Sequence, residues 1–136
     1  MLRHRLGDDI FWKGIRMYYE TYKDGNAMSE DFQSVMEHVS GQDLEEFFEQ
    51  WLYTKGYPEL KWNWKYNNGK LNISVKQKQK HHLYNFPIEF GIVKDGIFRI
   101  ESFRVDKRSN TFKLNIDEKP DDILIDPEVW LLFEEK

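Results

Sequence analysis

The chain has 136 residues, of which 40% are hydrophobic and 16% aromatic, and it contains no cysteine. This length suits one ordinary domain or two small ones, and the apolar content is sufficient to form a core without covalent cross-links. The lack of cysteine excludes disulfides, thiolate zinc sites and cysteine catalysis, but it leaves the compartment open.

The net charge of −4 is distributed unevenly along the chain. Residues 1–56 carry 6 Lys/Arg and 11 Asp/Glu, which gives −5, whereas residues 57–136 carry 14 and 13, which gives +1. Neither part is basic enough to indicate a nucleic-acid partner. No apolar run approaches the roughly 20 residues of a membrane span, and no segment has the pattern of a signal peptide.

The first part of the chain predicts four short helices. Residues 1–6 form the first, which ends at Gly7; the next three are capped by Asp8 or Asp9, by Ser29 and by Asp43. They end at residues 23–26, at Gly41 and at residues 55–58. Their apolar positions recur at spacings of three and four residues: Phe11, Ile15, Tyr18, Tyr19 and Tyr22; Phe32, Val35, Met36 and Val39; and Leu44, Phe47, Phe48, Trp51 and Leu52.

After Pro58 the apolar period changes to two, which predicts six or seven strands joined by turns at residues 67–69 and 94–96. The alternating sets are Leu60, Trp62, Trp64 and Tyr66; Leu71, Ile73 and Val75; Phe86, Ile88, Phe90 and Ile92; Phe98, Ile100, Phe103 and Val105; Phe112, Leu114 and Ile116; and Ile123 with Ile125 or Leu124. The change of parity between Ile100 and Phe103 predicts a β-bulge or a bend.

The predicted fold class is α+β, a short helical bundle (residues 1–55) followed by an antiparallel β-sandwich (residues 56–136). The segment at 54–59 is the predicted junction, because Gly56 permits the helix to stop and Pro58 begins an extended run without needing a donor.

The histidines do not show a metal-binding pattern. His-Glu-x-x-His, which places two imidazoles on one helix face, is absent from the chain. His4 stands alone, and His38 has Gln42, a non-ligand, four residues later. His81 and His82 follow Lys78 and Lys80, which would repel a cation, so a solvated basic hairpin end is the favoured interpretation.

Other candidate chemistry also has a structural explanation. The carboxylate pairs Asp8-Asp9, Glu45-Glu46 and Asp121-Asp122 stand where a helix cap, a helix face or a turn would place them. No serine has the Gly-x-Ser-x-Gly setting of a nucleophile, and there is no glycine-rich phosphate loop.

Three aromatic residues, Trp62, Trp64 and Tyr66, share one face of the first predicted strand. Stacked aromatics on a β-sandwich can bind sugars or peptides. Strict alternation with polar partners is nevertheless typical of a strand that faces a core, and this interpretation is favoured.

Taken together, these pieces resemble the zinc aminopeptidases related to aminopeptidase N, of the gluzincin type. The resemblance rests on the order and spacing of short motifs over nearly the whole chain. They are Met1 to Arg3, Leu6 to Asp8, Phe11, Gly14 to Arg16 with Tyr18, Asn26-Ala27, Asp31-Phe32, Ser40-Gly41, Asp43-Leu44, Phe47-Phe48, Trp51-Leu52, Gly56 to Pro58, and residues 120–132.

The resemblance implies that the chain is a C-terminal part of such an enzyme, beginning just after the catalytic tyrosine. The family's Gly-x-Met-Glu-Asn loop, its zinc ligands and that tyrosine would all lie upstream, so Met1 is expected to be an internal methionine. No residue of this chain matches a catalytic, cofactor-binding or metal position. Zinc is expected in the full-length parent and not in this chain.

The leading hypothesis is therefore a non-catalytic fragment, inactive alone, of an enzyme that removes N-terminal residues from peptides. Its partners would be the upstream catalytic domain and, for the parent, peptide substrates; self-association through an exposed helical face is a further expectation. The alternative is a free-standing peptide- or carbohydrate-binding module. An independent hydrolase with an unrecognised site is the third possibility.

Overall fold

A computed structural model describes all 136 residues and divides them into two compact units, Met1–Lys55 and Gly56–Lys136. The first unit is helical and the second consists of strands, so the α+β class predicted from the sequence is confirmed. No helix combines the length and apolar character needed to cross a bilayer.

The helical unit contains four α-helices and one π-helical turn. They are α1 (Leu2–Leu6), α2 (Asp8–Tyr22), α3 (Ser29–Ser40), α4 (Glu45–Phe48) and the π-helical turn Glu49–Tyr53. Gly7, with φ 79°, ends α1, and Gly41, with φ 67°, ends α3, as predicted. Both glycines adopt positive φ values, which are unfavourable for side chains with a Cβ.

The helix starts differ from the prediction by one residue. Gly7 takes the cap position of α2 and leaves Asp8 and Asp9 in its first turn, where carboxylates favour the helix dipole. Ser29 is already helical, and the Met28 N–H donates to the Asp31 carboxylate at 2.8 Å. Asp43 accepts from the Glu45 N–H at 2.9 Å, although Leu44 holds the cap position of α4.

The helical core is small. Its buried residues are Leu6, Met36, Leu44 and Phe48, and partly buried side chains pack against them: Leu2, Ile10, Phe11, Ile15, Phe32 and Phe47. Gly14 is the close-approach point between α2 and α3, because a Cβ there would lie 2.4 Å from the Met36 sulfur. The predicted core position Tyr19 is wrong: it is 63% exposed, since it turns away from the row formed by Phe11, Ile15 and Tyr18.

The π-helical turn changes which side chains of the fourth helix are buried. Leu44 and Phe48 are buried as predicted, but Leu52 is 54% exposed and Gln50 is buried. A π turn accommodates an extra residue, so positions beyond Phe48 rotate away from the α-helical spacing. The prediction of Leu52 as a core residue is therefore wrong.

The second unit contains two sheets. Its strands are β1 (Glu59–Asn67), β2 (Lys70–Gln77), β3 (Phe86–Lys94), β4 (Ile97–Val105), β5 (Ser109–Asn115), β6 (Asp122–Ile125) and β7 (Glu134–Glu135). The sheets have the orders β5-β2-β1-β7 and β4-β3-β6. All pairs are antiparallel except β1 with β7, a two-residue parallel pair that the sequence pattern did not reveal.

Both predicted turns close two-residue hairpins. Asn68 and Gly69 connect β1 to β2 with φ values of 47° and 75°, and Asp95 and Gly96 connect β3 to β4 with 48° and 75°. Positive φ at both central residues matches the twist of the flanking strands, and this is why Asn-Gly and Asp-Gly are favoured here.

The inner faces of the two sheets share one core. Residues alternating along β2 and β3 are at most 6% exposed: Leu71, Ile73, Val75, Phe86, Ile88, Phe90 and Ile92. The rings of Trp62 and Phe90 lie 5.4 Å apart, and those of Phe103 and Phe112 stack at 4.5 Å. Each pair joins a strand of one sheet to a strand of the other, as in a β-sandwich.

Strand β4 contains no bulge, which corrects that alternative of the prediction. Its pairing with β3 is continuous from Phe86 opposite Val105 to Lys94 opposite Ile97. Phe98 and Ile100 instead project from the opposite face to Phe103, and they are 47% and 38% exposed. The Phe98 ring covers Gly91, where a Cβ would lie 2.3 Å from the ring, so the parity change reflects a change of face.

Candidate functional site

The four histidines do not converge on a metal site. His4 is in α1, His38 is in α3, and His81 and His82 lie in the loop between β2 and β3. No group of three or more His, Asp or Glu side chains in the structure could hold a metal ion. The residues of this chain therefore do not fit a zinc centre.

The Asp8-Asp9 pair serves the junction of α1 and α2. Arg3 donates to both carboxylate oxygens of Asp8, from Nε at 2.8 Å and from Nη2 at 2.7 Å. These hydrogen bonds from Arg3 hold the pKa of Asp8 below its usual value. A carboxylate that stays ionised through such a pair is poorly suited to act as a general acid.

The Asp121-Asp122 pair belongs to a charged cluster beside the β3–β4 turn. The Asp95 N–H donates to Asp121 at 2.9 Å and, as the largest influence, lowers the pKa of that carboxyl. The Lys94 ammonium lies 3.5 Å from Asp121 and 3.6 Å from Glu118. Burial would lower the pKa of Lys94, but Asp121, Asp95 and Glu118 together raise it. These hydrogen bonds and ion pairs therefore stabilise the β3–β4 turn at the surface.

A polar depression of about 470 Å³ lies on the helical unit, lined by Gln33, Glu37, Gln42, Asp43, Glu45, Glu49 and Tyr53. Its carboxylates have structural partners. Glu37 accepts from the Leu44 N–H at 2.9 Å and from Gln33 at 3.0 Å, and Asp43 caps α4. No imidazole or cation lines the depression, and the hydrogen bonds of Glu37 and Asp43 stabilise the start of α4.

Two buried polar residues, Gln77 and Asp126, have structural roles that the sequence pattern did not indicate. Gln77 donates to the Tyr84 carbonyl at 2.8 Å and accepts from the Tyr84 N–H at 3.0 Å, so it bridges the loop after β2. Asp126 accepts from the backbone N–H groups of Trp130 and Leu131. Both side chains thus satisfy backbone hydrogen-bonding groups in the loops beside them.

The basic segment around His81 forms a second depression, lined by Lys76, Gln77, Lys78, Gln79, Lys80 and Arg108. The Arg108 guanidinium donates to the carbonyls of Gln77 and Gln79. His82 packs edge-on against Tyr84, with ring centroids 4.9 Å apart. The lysine and arginine side chains therefore surround a loop that is held by hydrogen bonds within the domain.

The aromatic row of β1 faces the core, as favoured from the sequence. Trp62 packs on Phe90, and its indole N–H donates to Glu135 at 3.0 Å. The Tyr66 hydroxyl donates to the Asp117 carbonyl at 2.9 Å. Because Trp62 and Tyr66 make these contacts within the domain, their rings are not available to stack against a bound sugar.

Large apolar side chains are exposed on the helical unit instead. Trp12 and Tyr19 of α2 are 44% and 63% exposed, and Met28, at the start of α3, is 70% exposed. Trp12 and Tyr19 are seven residues apart and therefore lie on one side of the helix. Exposed apolar side chains that share one helix face are typical of surfaces that contact another protein part.

Comparison with known proteins identifies the relatives of this chain. Residues 1–51 match the family model described as the Peptidase family M1 domain. The chain is 29% identical over 127 residues to a probable aminopeptidase 2 of Sulfurisphaera tokodaii, covering 86% of this chain and 16% of that protein. It is 38% identical over 58 residues to aminopeptidase N of Lactococcus lactis, covering 43% of this chain and 7% of that protein.

A solved structure shows the same fold. Legionella pneumophila aminopeptidase A, determined in complex with aspartic acid, superposes with a TM-score of 0.78 at 20% identity. The match covers 98% of this chain and 16% of that one, so the chain spans less than a fifth of these relatives. Together, these findings show that the chain is similar to a segment of M1-like aminopeptidases, with residues 1–51 matching the model of the M1 peptidase domain.

Proposed function

We propose that this chain is the non-catalytic, structural part of a zinc aminopeptidase that hydrolyses N-terminal residues from peptides. One observation carries the proposal: residues 1–51 match an M1 peptidase domain, yet the chain assembles no metal-binding group of its own. Zinc and the peptide would then be bound by an upstream catalytic domain of the same protein.

In this proposal the two units have different tasks. Residues 1–55 complete the catalytic domain, and residues 56–136 form a β-sandwich domain that supports it. The exposed Trp12, Tyr19 and Met28 support the first assignment, because an adjoining part of a catalytic domain would remove this apolar area from water. The chain alone is inactive.

The test uses an antibody raised against this chain in lysates of the source cells. We expect a band several times larger than 16.6 kDa, and an immunoprecipitate with zinc and chelator-sensitive aminopeptidase activity. The recombinant 136-residue chain, assayed in parallel with added zinc, should retain no metal and cleave no aminoacyl anilide. A native band at 16.6 kDa without zinc would contradict the proposal.

The alternative, a free-standing peptide- or carbohydrate-binding module, keeps support from the exposed Phe98, Ile100 and Leu124 on the outer face of the three-stranded sheet. A 16.6 kDa native band, together with peptide or oligosaccharide binding that Phe98→Ala abolishes, would favour this module over the peptidase fragment.

A further inference from the structure

Strand β4 is a long, regular edge strand. It pairs only with β3 within its sheet, and its nine residues, Ile97–Val105, contain neither a bulge nor a proline. Edge strands present a row of unpaired N–H and C=O groups, and natural proteins commonly interrupt such edges with bulges or prolines. Here neither of these interruptions is present.

The turn geometry identifies which backbone groups of β4 lie at the free edge. Lys94 and Ile97 close a two-residue turn and therefore form a hydrogen-bonded pair. Because hydrogen-bonded pairs alternate along an antiparallel ladder, Arg99 and Glu101 also direct their backbone groups to β3. The backbone N–H and C=O groups of Phe98, Ile100 and Ser102 therefore point away from β3, toward the free edge of the sheet.

Hydrogen bonds on the side of β3 that faces away from β4 support this assignment of backbone directions. The Val93 carbonyl accepts from the Asp121 N–H at 2.9 Å, and the Glu89 carbonyl accepts from the Asp126 N–H at 2.8 Å. Odd-numbered residues of β3 thus bond away from β4, which leaves the even-numbered ones to pair with β4.

The side chains of β4 form two different rows. Phe98 and Ile100 are exposed on the outer face, where Leu124 of β6 is also 42% exposed. On the opposite row Arg99 and Glu101 form an ion pair, with Arg99 Nε 3.0 Å from the Glu101 carboxylate. An apolar row and a pair of opposite charges therefore flank the free backbone groups.

We propose that β4 pairs antiparallel with β4 of a second copy of this chain, about a two-fold axis at Ile100. The two three-stranded sheets would join edge to edge into one continuous sheet. Phe98, Ile100 and Ser102 of each copy supply the N–H and C=O groups of the new ladder. The Ile100 side chains of the two copies meet on the outer face, with Phe98 diagonally adjacent.

Charge complementarity selects this register. With the axis at Ile100, Arg99 of one copy lies opposite Glu101 of the other, and the contact occurs twice. These are non-hydrogen-bonded positions, where opposing side chains approach most closely. Moving the axis to Arg99 or to Glu101 would place two like charges directly opposite each other, which is destabilising.

The same symmetry explains why the two charges do not protect the edge. A lone charge in an edge strand discourages pairing, because most partners cannot neutralise it. Arg99 and Glu101 neutralise each other within one copy, and a two-fold pairing about Ile100 neutralises them again between copies. The occupant that fits this edge is therefore the chain itself.

Sedimentation equilibrium of the full 136-residue chain tests the proposal. We expect a monomer–dimer equilibrium with a dimer of twice 16.6 kDa. Glu101→Arg should weaken dimerisation by about tenfold or more, because it places Arg99 opposite another arginine twice. The swapped variant Arg99→Glu/Glu101→Arg keeps the complementarity and should return the dissociation constant to within about threefold of the original.

Further variants separate the edge from other surfaces. Ile100→Pro removes an outward N–H without touching the ladder to β3 and should abolish the dimer. Lys113→Glu, a charge reversal on β5 in the other sheet, is the matched control and should leave the dimer unchanged. Circular dichroism and thermal melting establish that each variant is folded.

Three results would overturn the proposal: a chain that stays monomeric into the millimolar range, a dimer insensitive to Glu101→Arg, or a swapped variant that fails to recover. A dimer insensitive to both Glu101→Arg and Ile100→Pro would place self-association on another surface, such as the exposed helical face with Trp12 and Tyr19.

Discussion

At the scale of single residues, the contact between Gly14 and Met36 determines how closely α2 and α3 can pack. A Cβ at position 14 would lie 2.4 Å from the Met36 sulfur and 2.9 Å from its methyl carbon, and Met36 is fully buried. Met36 must therefore move to accommodate any larger residue, at the cost of overpacking in a small core.

We expect Gly14→Ala to destabilise the helical unit. Alanine would by itself favour the helix by about 1 kcal/mol over glycine, but overpacking costs about 1–3 kcal/mol, so the expected net loss is about 1 kcal/mol. Urea unfolding followed by circular dichroism measures it. Gly25→Ala is the control, since nothing lies within 4 Å of a Cβ there.

Met36→Val shortens the side chain that faces position 14. Combined with Gly14→Ala, it should restore most of the lost free energy of unfolding. A double-mutant cycle would then show coupling, as expected for residues in direct contact. A Gly14→Ala variant that is as stable as the original chain would show that repacking of Met36 costs no more than the roughly 1 kcal/mol of helix propensity that alanine adds.

The same scale shows why helix caps are difficult to predict from sequence. The sequence predicted Asp43 as the cap of the fourth helix. Its carboxylate does accept a backbone N–H, but Asp43 lies one residue before Leu44, which holds the cap position. Met28 rather than Ser29 holds the cap position of α3, because the Asp31 carboxylate accepts a hydrogen bond from the Met28 N–H. Several polar residues compete for the same backbone donors, and geometry rather than composition decides among them.

At the scale of elements, the π-helical turn Glu49–Tyr53 makes the fourth helix depart from its sequence pattern. Leu44, Phe48 and Leu52 are spaced by four residues and would share one face of a regular α-helix. The turn leaves Phe48 at 6% exposure but Leu52 at 54%. The two positions should therefore respond very differently to truncation.

We expect Phe48→Ala to cost about 3–5 kcal/mol and to unfold the helical unit, whereas Leu52→Ala should change stability by less than about 0.5 kcal/mol. Helical circular dichroism signal and urea midpoints measure both. An uninterrupted α-helix would make Leu52→Ala cost about 2–5 kcal/mol, and that result would contradict the π-helical turn.

Strands were predicted more fully than helices, because turn chemistry and a period of two leave few alternatives. Asn68-Gly69 and Asp95-Gly96 marked their hairpins, since few residues accept the positive φ values that these turns require. The bulge predicted between Ile100 and Phe103 failed because an apolar residue can also face outward to cover a glycine, as Phe98 covers Gly91.

At the scale of the whole molecule, the resemblance found in the sequence motifs agrees with the fold. Family motifs in the sequence indicated an aminopeptidase, and the comparisons support that resemblance. Residue types alone could not separate structural carboxylates from catalytic ones, because Asp8, Glu37 and Asp121 occupy caps and turns only once the chain is folded.

The two units should differ in their ability to fold alone. Residues 56–136 have two sheets around a shared core, and distant segments are tied by backbone hydrogen bonds, such as Glu134 N–H to the Pro58 carbonyl at 2.9 Å. Residues 1–55 bury four hydrophobic side chains in their core cluster, which is little for a chain below about 60 residues.

Expressed separately, residues 56–136 should melt cooperatively, whereas residues 1–55 should show weak, non-cooperative unfolding and bind a hydrophobic dye. Under the proposed function, the helical unit is part of a larger catalytic domain, which would cover side chains such as Trp12 and Tyr19. Differential scanning calorimetry and dye fluorescence measure the difference. Cooperative melting of residues 1–55 alone would show that this unit needs no further part of a catalytic domain, and would count against the fragment proposal.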